Sequence, residues 1–138
     1  MKRRNFLLQG AMASVAACTL SSVSANAMTL ISSKNKPVYF HYLLFWLKDE
    51  LTAQEKKDFG NFFEGLKKLP YVKNLRYGGP ANSAPRSVLD NSFSYNAIME
   101  FDSQEELDAY GKLPGHIALI QHYSQFWSKM AVHDSIVK

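Results

Sequence analysis

Cysteine is nearly absent from this chain of 138 residues, and no acidic residue occurs before position 49. The single cysteine, Cys18, lies near the amino terminus, so the rest of the chain has no disulfide, thiolate metal site or cysteine nucleophile. A basic excess is also missing: without Lys2, Arg3 and Arg4, 13 basic residues face 12 acidic ones, a balance of about +1. This balance leaves no basic patch for nucleic acid.

Residues 1–27 have the pattern of an export signal. A basic start precedes a weakly apolar run, which Gln9, Gly10 and Ser14 interrupt and which is too short to span a membrane. The run ends at Ala25-Asn26-Ala27, a small-residue cleavage site. Arg3-Arg4-Asn5-Phe6-Leu7 resembles the twin-arginine export motif, and general secretory export is the alternative. The pattern predicts a signal peptide over 1–27, a linker over 28–36, a folded domain over 37–138, and a periplasmic or secreted protein.

Cys18 supports a different interpretation of the same segment. Val15-Ala16-Ala17-Cys18 resembles a bacterial lipobox, in which Cys18 would be the acylated first residue of a membrane-anchored lipoprotein. Residues 19–36, rich in serine and asparagine, would then be a flexible tether. A membrane is an expected partner only in this case.

The folded part begins with a strongly apolar segment, Pro37 to Leu47. It is rich in aromatic and branched residues on both faces of a pleat, which predicts a strand covered on both sides. Alternation places His41 on one face and Trp46 on the other. Because helices can cover only one face, we expect a second copy of the chain to cover the other.

Turn and capping signals divide the remaining chain. A Thr52–Glu55 capping box starts a helix that Pro70 stops. The restarted second helix, from Pro114, carries an apolar stripe that includes Ile120, Tyr123 and Trp127. The other predicted elements are strands over 71–79, 93–101 and 131–137, a loop over 80–92, and a short helix from a Ser103–Glu106 capping box that breaks at residues 111–114. The order β-α-β-β-α-β predicts a ferredoxin-like α+β sandwich with a broken second helix.

Several of these features together resemble the stress-responsive A/B barrel (Dabb) family. They are the first-strand segment HYLLFWLKDE, the phenylalanine-rich first helix, the segment YGKLPGH, Phe126-Trp127 and Asp134. The resemblance implies protomers whose sheets pair into a dimeric α+β barrel, each with a pocket between sheet and helices. One plant member is a cyclase that uses no metal or organic cofactor. By resemblance to it, Tyr110 and His116 are an acid–base pair and His41 is a pocket histidine.

The residues themselves support that chemistry, beside a simpler alternative. His116 falls in the first turn of a helix, where the macrodipole disfavours imidazolium and keeps a general base neutral. Tyr110 can donate to a developing oxyanion. Alternatively, His116 caps the helix and Tyr110 only packs. Further candidates for an apolar pocket are Trp46, Tyr95, Met99, Phe101 and Tyr123.

Three functions remain open from the sequence. The first is an exported homodimer that binds a small apolar or aromatic ligand. The second is a cofactor-free lyase or cyclase that uses Tyr110 and His116. The third is a non-catalytic stress or assembly protein. No cofactor is expected, and no metal site, because His116 and His122 do not have the spacing of a helical ligand pair.

Overall fold

A computed structural model describes residues 36–138, so the predicted export signal, Cys18 and most of the linker lie outside the described residues. The elements are β1 (Val38–Leu47), α1 (Ala53–Asp58), α2 (Gly60–Leu66), β2 (Lys73–Gly78), β3 (Tyr95–Phe101), α3 (Gln104–Gly111), α4 (Pro114–Tyr123), a 3-10 turn (Ser124–Phe126) and β4 (Trp127–Val137). The strands form one antiparallel sheet in the order β2-β3-β1-β4. The predicted ferredoxin-like order and broken second helix are confirmed, and Phe59 also divides the first helix.

The helix-facing side of the sheet forms the core. Phe45 is fully buried, and its ring meets the rings of Phe59, Phe62 and Phe63 at centroid distances of 5.3–5.7 Å, all edge-on. Burying each such side chain contributes about 1.5–3 kcal/mol. The other fully buried core residues are Leu66, Ala97, Met99 and Phe101.

The opposite side of the sheet carries no helix. Alternation along β1 places Val38, Phe40, Tyr42 and Leu44 there, each only partly buried. Trp46 lies on the same open face, where its indole N–H donates to Ser92 Oγ at 2.9 Å. The predicted strand is therefore present with apolar residues on both faces, and helices cover one of these faces; the other lacks cover within residues 36–138.

The two predicted capping boxes turn out differently. Thr52 and Glu55 form the full reciprocal pair, with Thr52 N donating to Glu55 Oε2 at 2.8 Å and Glu55 N donating to Thr52 Oγ1 at 3.2 Å. Ser103 Oγ accepts from Glu106 N at 3.2 Å, but the Glu106 carboxylate accepts from Asp102 N instead of Ser103 N. The second box is therefore only half formed, because its carboxylate reaches one residue further back.

The carboxy-terminal boundary was predicted incorrectly. Trp127 does not continue the helix: α4 ends at Tyr123, and Trp127 pairs with Leu47 as the first residue of β4. Because residues 127–130 pair with β1, β4 starts four residues before its predicted start. Helical spacing alone had extended the preceding helix too far, to Trp127. No helix among residues 36–138 has the length and apolar character to cross a membrane.

Candidate functional site

A cavity of about 230 Å³ lies between the helix-facing side of the sheet and helices α2, α3 and α4. Most of its walls are apolar. Its lining residues are His41, Leu43, Phe45, Phe62, Leu66, Tyr110, His116, Ile120, Met130 and Val132. Tyr110, Phe45 and Phe62 are buried at its inner end, whereas Met130 and Val132 on the edge strand β4 are 37% and 42% exposed. The mouth of the cavity therefore lies at β4.

Tyr110 lines this cavity and has a buried hydroxyl. Leu107 and Tyr110, three residues apart, form the buried face of α3. The Tyr110 ring packs between His41, at a centroid distance of 5.7 Å, and His116, at 4.4 Å. Its hydroxyl has no hydrogen-bond partner among the described residues. Burial raises the pKa of Tyr110 well above its ordinary value, so the phenol stays protonated and can act as a donor.

His116 is the third residue of α4, which Pro114 opens in the favoured first helical position. Its Nδ1 donates to the Gly111 carbonyl at 3.3 Å, which makes Nε2 the lone-pair nitrogen of the neutral ring. Burial lowers the pKa of His116. The hydrogen bond to Gly111 raises this pKa, and the nearby His41 lowers it, but both effects are smaller than that of burial. Burial is thus the main reason that this imidazole stays neutral, and the helix terminus acts in the same direction.

His41 belongs to a pair that was not predicted. His41 on β1 lies directly opposite Asp134 on β4, and its Nδ1 lies 2.6 Å from Asp134 Oδ1. Since a carboxylate can only accept, Nδ1 carries the proton and Nε2 is left free of this bond. The two residues are 93 positions apart, so no local motif contains both of them. Only the register between β1 and β4 indicates that they meet.

The other predicted pocket residues do not line this cavity. Trp46 lies on the open face, as the two-residue period of β1 requires. Met99 and Phe101 are fully buried in the core, and Phe101 packs against the Tyr110 ring at 5.1 Å. The Tyr95 hydroxyl donates to the Lys56 carbonyl at 3.1 Å, and Tyr123 packs on phenylalanines of the first helix. Seven other residues line the cavity and were not predicted from the sequence: Leu43, Phe45, Phe62, Leu66, Ile120, Met130 and Val132.

A wider hollow of about 470 Å³ lies in the loop between β2 and β3. It is lined mainly by exposed loop residues and, among residues 36–138, contains no buried polar group without a partner. Nor do the described residues include a group of three or more side chains that could hold a metal ion. The cavity beside Tyr110 is therefore the better candidate site.

The lowered pKa of His116 predicts that stability falls as pH falls. The unfolded chain, with a histidine pKa near 6.5, binds a proton before the folded chain does. The contribution of the neutral ring is therefore complete above pH 6.5 and is lost progressively as pH drops toward the folded-state pKa. Urea unfolding between pH 5 and pH 8 should show a smaller loss for His116→Gln than for the wild type. His122→Gln, at an exposed position outside the cavity, is the control; equal losses in all three proteins would contradict the prediction.

Comparisons with known proteins agree with this architecture. Olivetolic acid cyclase from Cannabis sativa is 23% identical over 95 residues, which cover 68% of this chain and 91% of that protein. The hydroxynitrile lyase from Passiflora edulis has a similar structure, with a TM-score of 0.61 at 15% identity, covering 73% of this chain and 94% of the lyase. A dimeric protein of unknown function with a ferredoxin-like fold, from Bacteroides fragilis, gives a TM-score of 0.59 at 22% identity, covering 72% and 96%.

These structural likenesses confirm the ferredoxin-like fold. The family assignment comes from a domain model, the stress responsive A/B barrel domain, which matches residues 40–137 and so covers well over half of the sequence. The chain belongs to the stress responsive A/B barrel domain family.

Proposed function

We propose that this protein binds a small, largely apolar or aromatic molecule in the cavity beside Tyr110. The observation that carries the proposal is a largely apolar cavity of about 230 Å³ lined by Tyr110, a residue whose buried hydroxyl has no partner within residues 36–138. Most buried polar groups in folded proteins are paired, and an unpaired one costs about 1–3 kcal/mol. A ligand that accepts a hydrogen bond from Tyr110 would offset that cost.

The mouth of the cavity offers a direct test with a matched control. Met130 and Ile136 lie on the helix-facing side of β4, opposite Phe45 and Tyr39, and are 37% and 46% exposed. Only Met130 lines the cavity. In a thermal-shift screen of small aromatic and ketone compounds, we expect hits that stabilise the wild type and Ile136→Trp. Met130→Trp should bind the same hits at least tenfold more weakly, because the indole fills the entrance. Equal affinities in all three proteins, or no stabilising compound at all, would refute binding in this cavity.

A second candidate function is acid–base catalysis without a cofactor. It is favoured by three side chains that line one cavity: His41, which is held by Asp134, the neutral His116 ring and the protonated Tyr110 phenol. The cyclase and lyase names of two relatives fit this chemistry. In such a step, Nε2 of His116 takes a proton from the carbon next to a carbonyl, and Tyr110 donates its proton to the resulting enolate oxygen.

Deuterium uptake separates catalysis from binding. If the protein is an enzyme of this kind, a bound ketone should acquire deuterium from heavy water at the carbon next to its carbonyl. His116→Gln should reduce that rate at least 100-fold, within the usual range for a general base. If a ketone binds but exchanges no hydrogen for deuterium, the protein has the binding function and not the catalytic one. A protein that binds no ligand would be the stress or assembly protein of the third alternative.

The open face of the sheet supports a homodimer. Phe40, Tyr42 and Leu44 are only partly buried there, and an apolar sheet face of this kind is typical of an interface. We expect Leu44→Glu to be monomeric in sedimentation experiments. Val88→Glu, on a loop residue that is 89% exposed, should remain dimeric like the wild type. A wild-type monomer would contradict the proposal.

Export is also part of the proposed function, because residues 1–27 have the sequence pattern of an export signal. The expected location is the periplasm or the exterior, with a lipid-anchored protein as the alternative. Mass spectrometry of the mature amino terminus distinguishes the two. A start at Met28 indicates a released protein, and an acylated Cys18 indicates an anchored one. An intact Met1 would contradict export by either route.

A further inference from the structure

The rim of the cavity is formed mainly by β4 and α4, which are attached to the domain in different ways. The lining residues that remain partly exposed are Met130 and Val132 on β4, His116 and Ile120 on α4, and His41. β4 is fixed because it pairs with β1 along the whole of β1. α4 has no buried residue, whereas α2 and α3 both have several or a pair of them. One side of the rim is therefore attached firmly and the other is not.

Hydrogen bonds do little to hold α4 against the rest of the domain. Within residues 36–138, its bonds reach no further than five positions along the chain, as far as the bond between His116 and Gly111 at the end of α3. Leu113, the residue before α4, is extended and gives the helix no side-chain cap. At the other end, Tyr123 packs on two phenylalanines of the first helix. The amino-terminal half of α4 is thus its more weakly held part.

Two close contacts between α4 and the α2 region hold that half in place. Leu119 of α4 lies over Gly65 of α2, so closely that a Cβ at Gly65 would be 2.7 Å from Leu119 Cδ2. Leu69, which follows α2, lies over Gly115 of α4, where a Cβ would be 2.9 Å from Leu69 Cδ2. Each side therefore has a glycine where a leucine of the other approaches, although glycine weakens a helix. We call these two pairs the glycine–leucine contacts.

Building on the proposed function, we infer that α4 is the lid of the cavity. Its amino-terminal half swings away from α2 to admit a ligand, and the glycine–leucine contacts hold the closed position. The motion moves His116 and Ile120, which lie one turn apart and line the cavity, away from the other walls. The rate of ligand entry is then set by how often these contacts open.

Amide hydrogen exchange tests the motion without any ligand. We expect the amides of Ala118 and Ile120 to exchange at least 100-fold faster than those of β1, because α4 opens while the sheet stays folded. Leu119→Ala, which removes one of the glycine–leucine contacts, should raise these α4 rates at least tenfold. Ile117→Ala shortens a side chain of the same size at an exposed position of the same helix and should leave them nearly unchanged. Equal protection of α4 and β1, or equal effects of the two substitutions, would overturn the inference.

A reversible disulfide tests whether the motion admits a ligand. Leu119 Cγ lies 3.5 Å from a Cβ placed at Gly65, so cysteines at these positions are close enough to pair. The Gly65→Cys/Leu119→Cys protein also carries Cys18→Ser, which leaves no other thiol. Benzene is the probe, because an apolar cavity of about 150 Å³ accommodates it and this cavity is larger. In NMR exchange experiments, we expect the oxidised protein to bind benzene at least tenfold more slowly than the reduced protein, with a similar affinity.

Equal binding rates in the oxidised and reduced proteins would overturn the lid and leave the proposed function standing, because benzene would still bind. If benzene binds neither form, the inference fails as an account of entry, and the thermal-shift screen decides separately whether the cavity binds any compound.

Discussion

The Tyr110→Phe protein is expected to be more stable than the wild type and to bind carbonyl ligands less well. The variant keeps the ring that packs against His41, Phe101 and His116, and removes only a buried hydroxyl that lacks a partner. Removing such a group should raise the free energy of unfolding by about 1–3 kcal/mol. For a domain of about 100 residues, this corresponds to several degrees in Tm for each kcal/mol.

Tyr95→Phe is the matched control for this gain. The Tyr95 hydroxyl donates to the Lys56 carbonyl at 3.1 Å, so its loss should lower stability by about 1 kcal/mol. The two substitutions remove the same atom and should change stability in opposite directions in urea unfolding. If Tyr110→Phe is destabilised as Tyr95→Phe is, the Tyr110 hydroxyl is already paired in solution, and the argument for a ligand at that atom fails.

Phe62→Ala should destabilise the protein strongly and also change which ligands bind. Phe62 is fully buried and forms part of the cavity wall. Truncating a buried phenylalanine costs about 3–5 kcal/mol through lost transfer free energy and the space left behind. Because that space joins the existing cavity, the variant should bind two-ring aromatic ketones that the wild type excludes.

Phe59→Ala is the control that separates the loss of stability from the change in ligand range. Phe59 is also fully buried and stacks on Phe62 at 5.5 Å, but it does not line the cavity. Both variants should lose a similar amount of stability in chemical unfolding. Only Phe62→Ala should show the broader ligand range and recover stability when a two-ring ketone is added. The same ligand range in both variants would mean that ligands bind elsewhere.

The features that could be predicted are those set by nearby residues. The Thr52–Glu55 cap lies within one turn, and the alternation along β1 separates His41 from Trp46 without any tertiary information. Both residues were pocket candidates, although alternation places their side chains on opposite faces of β1. The structure places His41 at the cavity and Trp46 on the open face. Tyr110 and His116 are only six positions apart, on the two sides of the break between α3 and α4, so their approach could also be predicted from the sequence.

The missed features depend on contacts between distant segments. Asp134 reaches His41 only because β4 pairs with β1 in one particular register. Met130 and Val132 were missed because their position at the cavity mouth follows from β4 being an edge strand. Trp127 was assigned to a helix because its spacing from Tyr123 is helical, whereas pairing with Leu47 places it in the sheet. No local pattern encodes these outcomes.

The central claim is that the cavity beside Tyr110 is a binding site for a small, largely apolar or aromatic molecule. A crystal structure of the protein with the compound that stabilises it most in the thermal-shift screen tests this claim most directly. The account predicts that the compound lies in the cavity, in contact with Phe45, Phe62 and Tyr110. A cavity closed by its own side chains, or a ligand bound only in the hollow of the β2–β3 loop, would contradict it.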